Sequence, residues 1–218
     1  MSATLISVHT GKVAPLGEDG VPSGFVKQKR DGAVTVQEFG LAGDEIADLS
    51  VHGGPDKAVY GYGADHYPRW AAEQPRHAGL LGPGVMGENL AIAGMTEADI
   101  CVGDVHRVGE ALLQVCQPRQ PCFKLALRFD DPQMVKAMVK SRRSGWYYRV
   151  LEGGAVQAGD AVTLARRPNP DFPFFRLVEI VYARDPSREE LARMAAMDGL
   201  ARQWIVQAKM ALKALDQA

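Results

Sequence analysis

Short apolar runs, each cut off by glycine, proline or aspartate, fill the first two-thirds of this chain. They leave no room there for a repeating strand–helix–strand plan. Leu5-Ile6-Ser7-Val8-His9-Thr10, Phe25-Val26-Lys27, Val34-Thr35-Val36, Ala58-Val59-Tyr60 and Asn89-Leu90-Ala91-Ile92 are rich in β-branched or aromatic residues and bounded by turn formers. That spacing predicts β-structure, a sandwich or a barrel, rather than βαβ units. Ile100 to Val108 and Val156 to Leu164 share one pattern, Gly-Asp followed by alternating residues. This is turn chemistry feeding a strand, and the likeness is too short to be a repeat. Gly145-Trp146-Tyr147-Tyr148-Arg149-Val150-Leu151 adds a further strand.

Two helices are expected among these strands. Asp65 can cap a helix over His66–Ala72, with Pro68 tolerated in its first turn. Asp131-Pro132 opens a second over Gln133–Val139, with Val135, Met138 and Val139 on one face. At Arg166-Arg167-Pro168-Asn169-Pro170-Asp171-Phe172-Pro173 the prolines forbid both helix and central strand, so this is a linker. Beyond it, Ser187-Arg188-Glu189-Glu190 is a capping box opening a helix through Met197 and stopped at Gly199. Trp204, Ile205, Ala208, Leu212 and Leu215 recur at helical spacing, while Arg176–Ala183 suits helix or strand. The expected organisation is a β-rich domain over 1–167 and a helical module over 174–218, too small to be stable unless docked.

Lys+Arg 25 against Asp+Glu 26 leaves a formal net charge of −1, which argues against a general nucleic-acid or membrane-surface binder. Three cysteines, Cys101, Cys116 and Cys122, are too few and too odd in number for a disulfide framework and fit a reducing compartment. The N-terminus, Met1 to Ile6, carries no signal-peptide pattern, and no apolar stretch is long enough to span a bilayer. A cytoplasmic protein is expected.

The densest chemistry lies in Gln114 to Lys124. An apolar strand runs into Pro118 and Pro121, which stop further pairing, and Arg119, Cys122 and Lys124 follow on the loop. Nearby cations favour thiolate, a soft ligand or nucleophile. Equally, a cysteine can be a small buried hydrophobe. Cys101 and Cys116 lie in apolar strands and read as core. In Val51-His52-Gly53-Gly54-Pro55-Asp56-Lys57, paired glycines beside Lys57 can present N–H groups to an anion, or form an ordinary loop. His52 can be a ligand, acid or base, or a structural residue. Asn89, in Gly87-Glu88-Asn89-Leu90, offers a donor and an acceptor to a heterocycle or serves a turn. Lys27, Lys29 and Arg30 form a short basic run that reads as a solvated strand end. No nucleotide fingerprint, paired-cysteine zinc site or serine-hydrolase elbow occurs.

Together, G-L-A-G-D-E, V-H-G-G-P-D-K-A, the G-E-N-L strand and Q-P-R-Q-P-C-F-K resemble the MOSC family, named from the molybdenum cofactor sulfurase C-terminal domain. Their order and spacing are similar to its YiiM-like subgroup, as are Pro22-Ser23, Asp31-Gly32, Gly145-Trp146-Tyr147 and a three-helix tail from about Phe174. The resemblance implies a mainly β fold with peripheral helices, a barrel of the pyruvate-kinase-barrel type that holds a molybdopterin. It implies that Cys122 supplies a thiolate to molybdenum and that Asn89 lies near the pterin. Lys27, His52, Gly53, Gly54, Lys57 and Arg119 become candidates for the pterin and its phosphate. The implied activity is reduction of N-hydroxylated purine bases and amidoximes. Since the chain carries no flavin or haem motif, electrons are expected from a separate reductase. The alternatives are a persulfide carrier at Cys122 and a module that binds or delivers the cofactor. No nucleic-acid or membrane partner is expected, and the chain would act as a monomer or homodimer.

Overall fold

A computed structural model of the protein describes residues 3–183 and 185–217; Met1 and Ser2, part of the N-terminal reading above, lie outside them. The strands are β1 (Ala3–Thr10), β2 (Ala14–Leu16), β3 (Val21–Ser23), β4 (Gln28–Lys29), β5 (Val34–Gln37), β6 (Gly40–Leu41), β7 (Val59–Gly63), β8 (Leu90–Ala93), β9 (Val105–Val108), β10 (Ala111–Pro118), β11 (Trp146–Glu152), β12 (Gly154–Val156) and β13 (Ala161–Arg166). The order β13-β9-β10-β11-β7-β8-β1 closes because β1 pairs back onto β13, and β4 hangs on the far end of β1. Closure leaves these seven strands without a free edge. Only β7–β8 is parallel among the barrel pairs.

Period-two patterning fills the barrel. Leu5, Val8, Leu90, Ile92, Leu113, Val115, Trp146 and Tyr148 are buried in one core. Strand β7 is buried on both faces: Val59 joins that core, whereas Tyr60 and Tyr62 pack outward against Trp70, Leu125, Phe129, Met134 and Met138. The outer layer is made by α1 (His66–Glu73), α2 (Phe123–Phe129) and α3 (Gln133–Ser141). Gly61 is required in β7, because a Cβ there would meet the Trp146 ring at 2.8 Å.

The two Gly-Asp segments form the same turn. Asp104 accepts from Cys101 N and Asp160 from Gln157 N, each at 2.8 Å, with Gly103 at φ 83° and Gly159 at φ 98°. The strands they feed, β9 and β13, are antiparallel neighbours. Asp104 also takes a two-pronged contact from Arg167, Nε at 2.9 Å and Nη2 at 2.7 Å, which pins the start of the linker to the barrel.

Beyond the linker come α4 (Phe174–Ala183), α5 (Arg188–Ala195) and α6 (Arg202–Leu215). The ambiguous Arg176–Ala183 is therefore helical, and Leu177, Val178 and Val181 give it one buried stripe. The capping box at Ser187 and Glu190 forms in both directions. These helices have no separate core: Phe174, Leu177, Val178, Leu191, Met194, Trp204 and Ala208 belong to the core that holds Leu113 and Val115 of β10.

Four local expectations are corrected. Phe25-Val26-Lys27 is not a strand; pairing resumes only at Gln28, because Phe25 is drawn under Arg119 and Lys27 toward Asp44. Lys27 is consequently buried rather than a solvated strand end. Asp65 does not cap α1 with its side chain and instead accepts from Gly94 N at 2.8 Å. On α3 the buried pair is Met134 and Met138, while Val139 is exposed. Among the described residues, no helix is long and apolar enough to cross a membrane.

Candidate functional site

Strand β10 ends with Pro118 opposite Trp146, and the chain then crosses Arg119, Gln120 and Pro121 to reach Cys122. Cys122, expected on the loop, stands at the N-cap position of α2 in extended conformation. Its thiol lines the cleft. Burial pushes the Cys122 pKa up, but the His52 side chain, the charge of Arg119 and the Lys124 N–H outweigh it and bring it down to about 7. Burial instead raises Cys101 above the ordinary thiol value and Cys116 well above it.

Thiolate is the reactive form. In cofactor-free protein, alkylation of Cys122 by iodoacetamide should therefore rise through a midpoint near pH 7. His52→Ala should move that midpoint upward, because the group that stabilises the thiolate is gone. Peptide mass mapping checks that Cys101 and Cys116 stay unmodified; equal labelling of all three would contradict this electrostatic reading.

Behind the cysteine sits a polar hub that the sequence did not reveal. Asp44 accepts from Gly11 N at 2.7 Å, from Lys27 Nζ at 2.5 and 2.6 Å, and from Asn89 Nδ2 at 2.8 Å. Asn89 also accepts from Tyr60 N at 3.0 Å and donates to His9 O at 3.2 Å. Its amide thus holds β7, β1 and Asp44 together while lining the cleft. Burial pulls the Lys27 ammonium below its usual range, and Asp44 opposes that. Glu88 is wholly buried; one oxygen accepts from Tyr67 Oη and Gly84 N, the other has no partner, and burial raises its pKa.

Arg119 is buried between the rings of Phe25 (4.9 Å) and Tyr60 (5.0 Å), and its Nη1 donates to Met86 O. Stacking of this kind fixes a guanidinium without neutralising it. Two further cations at the cleft share this property, whereas Lys27 is paired with Asp44. Lys57 Nζ donates to Val51 O at 2.7 Å and Lys124 Nζ to Pro22 O at 3.1 Å, both carbonyls rather than carboxylates. Three positive charges are thus held in place and left for an anion.

Of the residues singled out from sequence, Lys27, Asn89 and Arg119 line the inner part of the cleft, Gly53 lines its outer part, and His52, Lys57 and Cys122 line both. The inner part has an empty volume of ≈ 730 Å³, open mouth included. Gly54 does not line the cleft; at φ 80° it turns the chain into the 3₁₀ turn Pro55–Lys57. Asp44, Phe25, Tyr60 and Tyr147 also line the inner part and went unnoticed in the sequence. Asp44 stands in the sequence only within the G-L-A-G-D-E motif, and the aromatics only within strand-like runs.

The MOSC domain model matches residues 48–163. Protein YiiM of Escherichia coli K12 is 38% identical over 199 residues, covering 91% of this chain and 88% of that protein. A protein of Gibberella moniliformis named Reductase is 39% identical over 191 residues, and the match takes in 86% of this chain but 34% of that protein, about a third of its length. The crystal structure of YiiM from Geobacillus stearothermophilus superposes with a TM-score of 0.80 at 28% identity, covering 96% of this chain and 99% of that one. A closed barrel carrying Cys122 at the end of β10, matched in this way by sequence and by structure, places the chain in the MOSC domain family.

Proposed function

We propose that this protein holds the molybdenum cofactor through Cys122 and reduces N-hydroxylated compounds, with N-hydroxylated purine bases and amidoximes as the substrate class. The observation that carries this reading is the Cys122 thiol, brought down to about 7 and lining a cleft whose fixed cations rest on carbonyls. The donor set fits the group. One thiolate supplies one soft ligand, which suits a metal that arrives already chelated by its own organic cofactor. Arg119, Lys57 and Lys124 supply the charge that an anionic pterin phosphate needs. Membership of the family and the name of the Gibberella relative support the redox reading. That relative is about three times as long as the matched region, so there a related unit belongs to a longer chain. This agrees with electrons reaching the present chain from another reductase unit.

The overall reaction takes R–NH–OH, two electrons and two protons to R–NH₂ and water. When bound, the cofactor supplies the two-electron, oxygen-accepting chemistry. The chain's own residues do the rest. Cys122 holds the metal at the wall of the cleft, and Arg119, clamped between Phe25 and Tyr60, fixes charge on the inner side. His52, which lines both parts of the cleft with Cys122, can relay a proton at the mouth. Lys27 is balanced by Asp44 and therefore serves the shape of the inner wall more than its charge.

The test is an assay of cofactor-loaded protein with a nicotinamide-dependent flavin reductase, following conversion of N-hydroxylated adenine to adenine. Turnover should need the added reductase and should fall by more than about 100-fold in Cys122→Ser, since even groups that only support a metal ligand are worth 10- to 100-fold. Loaded protein that reduces no N-hydroxylated compound with any electron donor contradicts the reading. The lowered Cys122 pKa also suits a persulfide carrier. That second reading predicts a 32 Da adduct on Cys122 in protein free of metal, by the mass of one sulfur atom.

A further inference from the structure

The cleft has a second, outer chamber that the barrel alone does not make. Its walls include Gln117 and Gln120 from the barrel side and Arg202 and Gln203 from the first turn of α6, and its empty volume is ≈ 1460 Å³, open solvent included. Cys122, His52, Lys57, Gln120 and Tyr147 are common to the outer and inner chambers. The two chambers therefore meet at the Cys122 thiol.

The wall contributed by α6 is built in, not draped over. Ala201 N donates to Cys116 O at 3.0 Å, and Arg202 N donates to Asp56 Oδ2 at 2.8 Å. Gln203 Nε2 and Trp204 Nε1 both donate to Gln117 Oε1, at 2.5 and 3.1 Å, and Gln117 Nε2 in turn donates to Asp56 O at 2.7 Å. The helix is thus fastened to the strand that leads into Cys122. Charge is distributed unevenly here. Asp56, the carboxylate of this chamber, is taken up on Oδ1 by Arg149, Nε at 2.9 Å and Nη2 at 2.5 Å. Arg202 is exposed and meets Asp56 through its backbone N–H, which leaves its guanidinium for a ligand. With Lys57 it makes the chamber positive, while Gln120 offers an amide group and Gln203 its amide oxygen to a polar heterocycle.

We propose that the outer chamber is the substrate side of the cleft and that Arg202 and Gln203 are specificity-determining residues, favouring anionic and uncharged N-hydroxylated compounds over cationic ones. This deepens the reductase reading above and rests on it. It also gives the helical tail a part in the chemistry: the tail supplies one wall of the site.

The experiment compares cofactor-loaded wild type, Arg202→Glu, Arg202→Lys and Gln203→Ala on three substrates: N-hydroxylated adenine, the corresponding nucleoside monophosphate and a cationic N-hydroxyguanidine. Arg202→Glu should raise KM for the monophosphate by about tenfold or more, equivalent to ~1.4 kcal/mol, and lower it for the guanidine. Arg202→Lys should restore the wild-type order, and molybdenum content should be the same in all four proteins. KM values within about twofold of wild type for all three substrates in Arg202→Glu would overturn the proposal. A second readout does not depend on turnover: calorimetric binding of adenosine monophosphate to cofactor-free protein should be weakened by Arg202→Glu and kept by Arg202→Lys. If loaded wild type reduces none of the three substrates, the reductase reading fails. The binding data then still decide this inference: nucleotide binding that Arg202→Glu leaves unchanged, or no nucleotide binding by wild type, counts against it.

Discussion

Deleting residues 168–218 should unfold the barrel rather than liberate it. The tail helices share one core with the strands, and Phe174, Leu177 and Val178 are fully buried against it. Met194 and Trp204 are nearly so. Fully burying one such side chain stabilises by roughly 1.5–3 kcal/mol, whereas a whole domain has a margin of about 5–15 kcal/mol. Losing these contacts, and uncovering Leu113 and Val115 beneath them, exceeds that margin. The truncated chain should be insoluble or lack a cooperative melt by circular dichroism. A soluble barrel that melts cooperatively close to the full-length temperature would contradict the shared core.

Asp44→Ala should produce the second large effect. Lys27 and Asp44 are both nearly sealed from solvent, with side-chain exposures of 8% and 9%. Removing one member of a buried pair leaves an uncompensated charge and costs about 3–5 kcal/mol. Asp44 also holds Gly11 N and Asn89 Nδ2, so the alanine strands three donors at once. For a chain of this length the melting temperature should drop by roughly 10 °C or more, at 2–4 °C per kcal/mol. Asp44→Asn keeps an acceptor for Gly11 and should lose less. Replacing the pair together, Lys27→Met with Asp44→Leu, should recover only the part of the loss that comes from the unpaired Lys27 charge, because Gly11 N and Asn89 Nδ2 still lack their acceptor. If Asp44→Ala melts within about 2 °C of wild type, the hub does not hold the inner wall.

Local chemistry was legible wherever a few neighbouring residues decide the structure. The Gly-Asp turns at Asp104 and Asp160, the capping box at Ser187 and the proline-stopped end of β10 follow from interactions within a few positions. The illegible parts depend on contacts across the fold. Phe25 and Lys27 look like a strand until Arg119 and Asp44 claim them. Arg176–Ala183 has apolar residues that fit either period, and only packing against the barrel decides for helix. Asp44 draws its partners from residues 17, 33 and 45 positions away, which no local pattern encodes. Cys122 stood out because cations and prolines flank it, but the outer chamber did not. Arg202 and Gln203 precede the apolar helical repeat that begins at Trp204 and carry no pattern of their own, and only the docking of α6 onto β10 carries them to the cysteine.

The central claim is that Cys122 holds molybdenum. It is tested most directly by elemental analysis of wild type and Cys122→Ser, both purified from cells that make the cofactor. The account predicts about one molybdenum per chain in the wild type and loss of the metal in a variant that still melts cooperatively, because serine is itself favoured at the helix N-cap position that Cys122 occupies. Equal molybdenum in both proteins, or none in the wild type from cells proven to supply it, would contradict it.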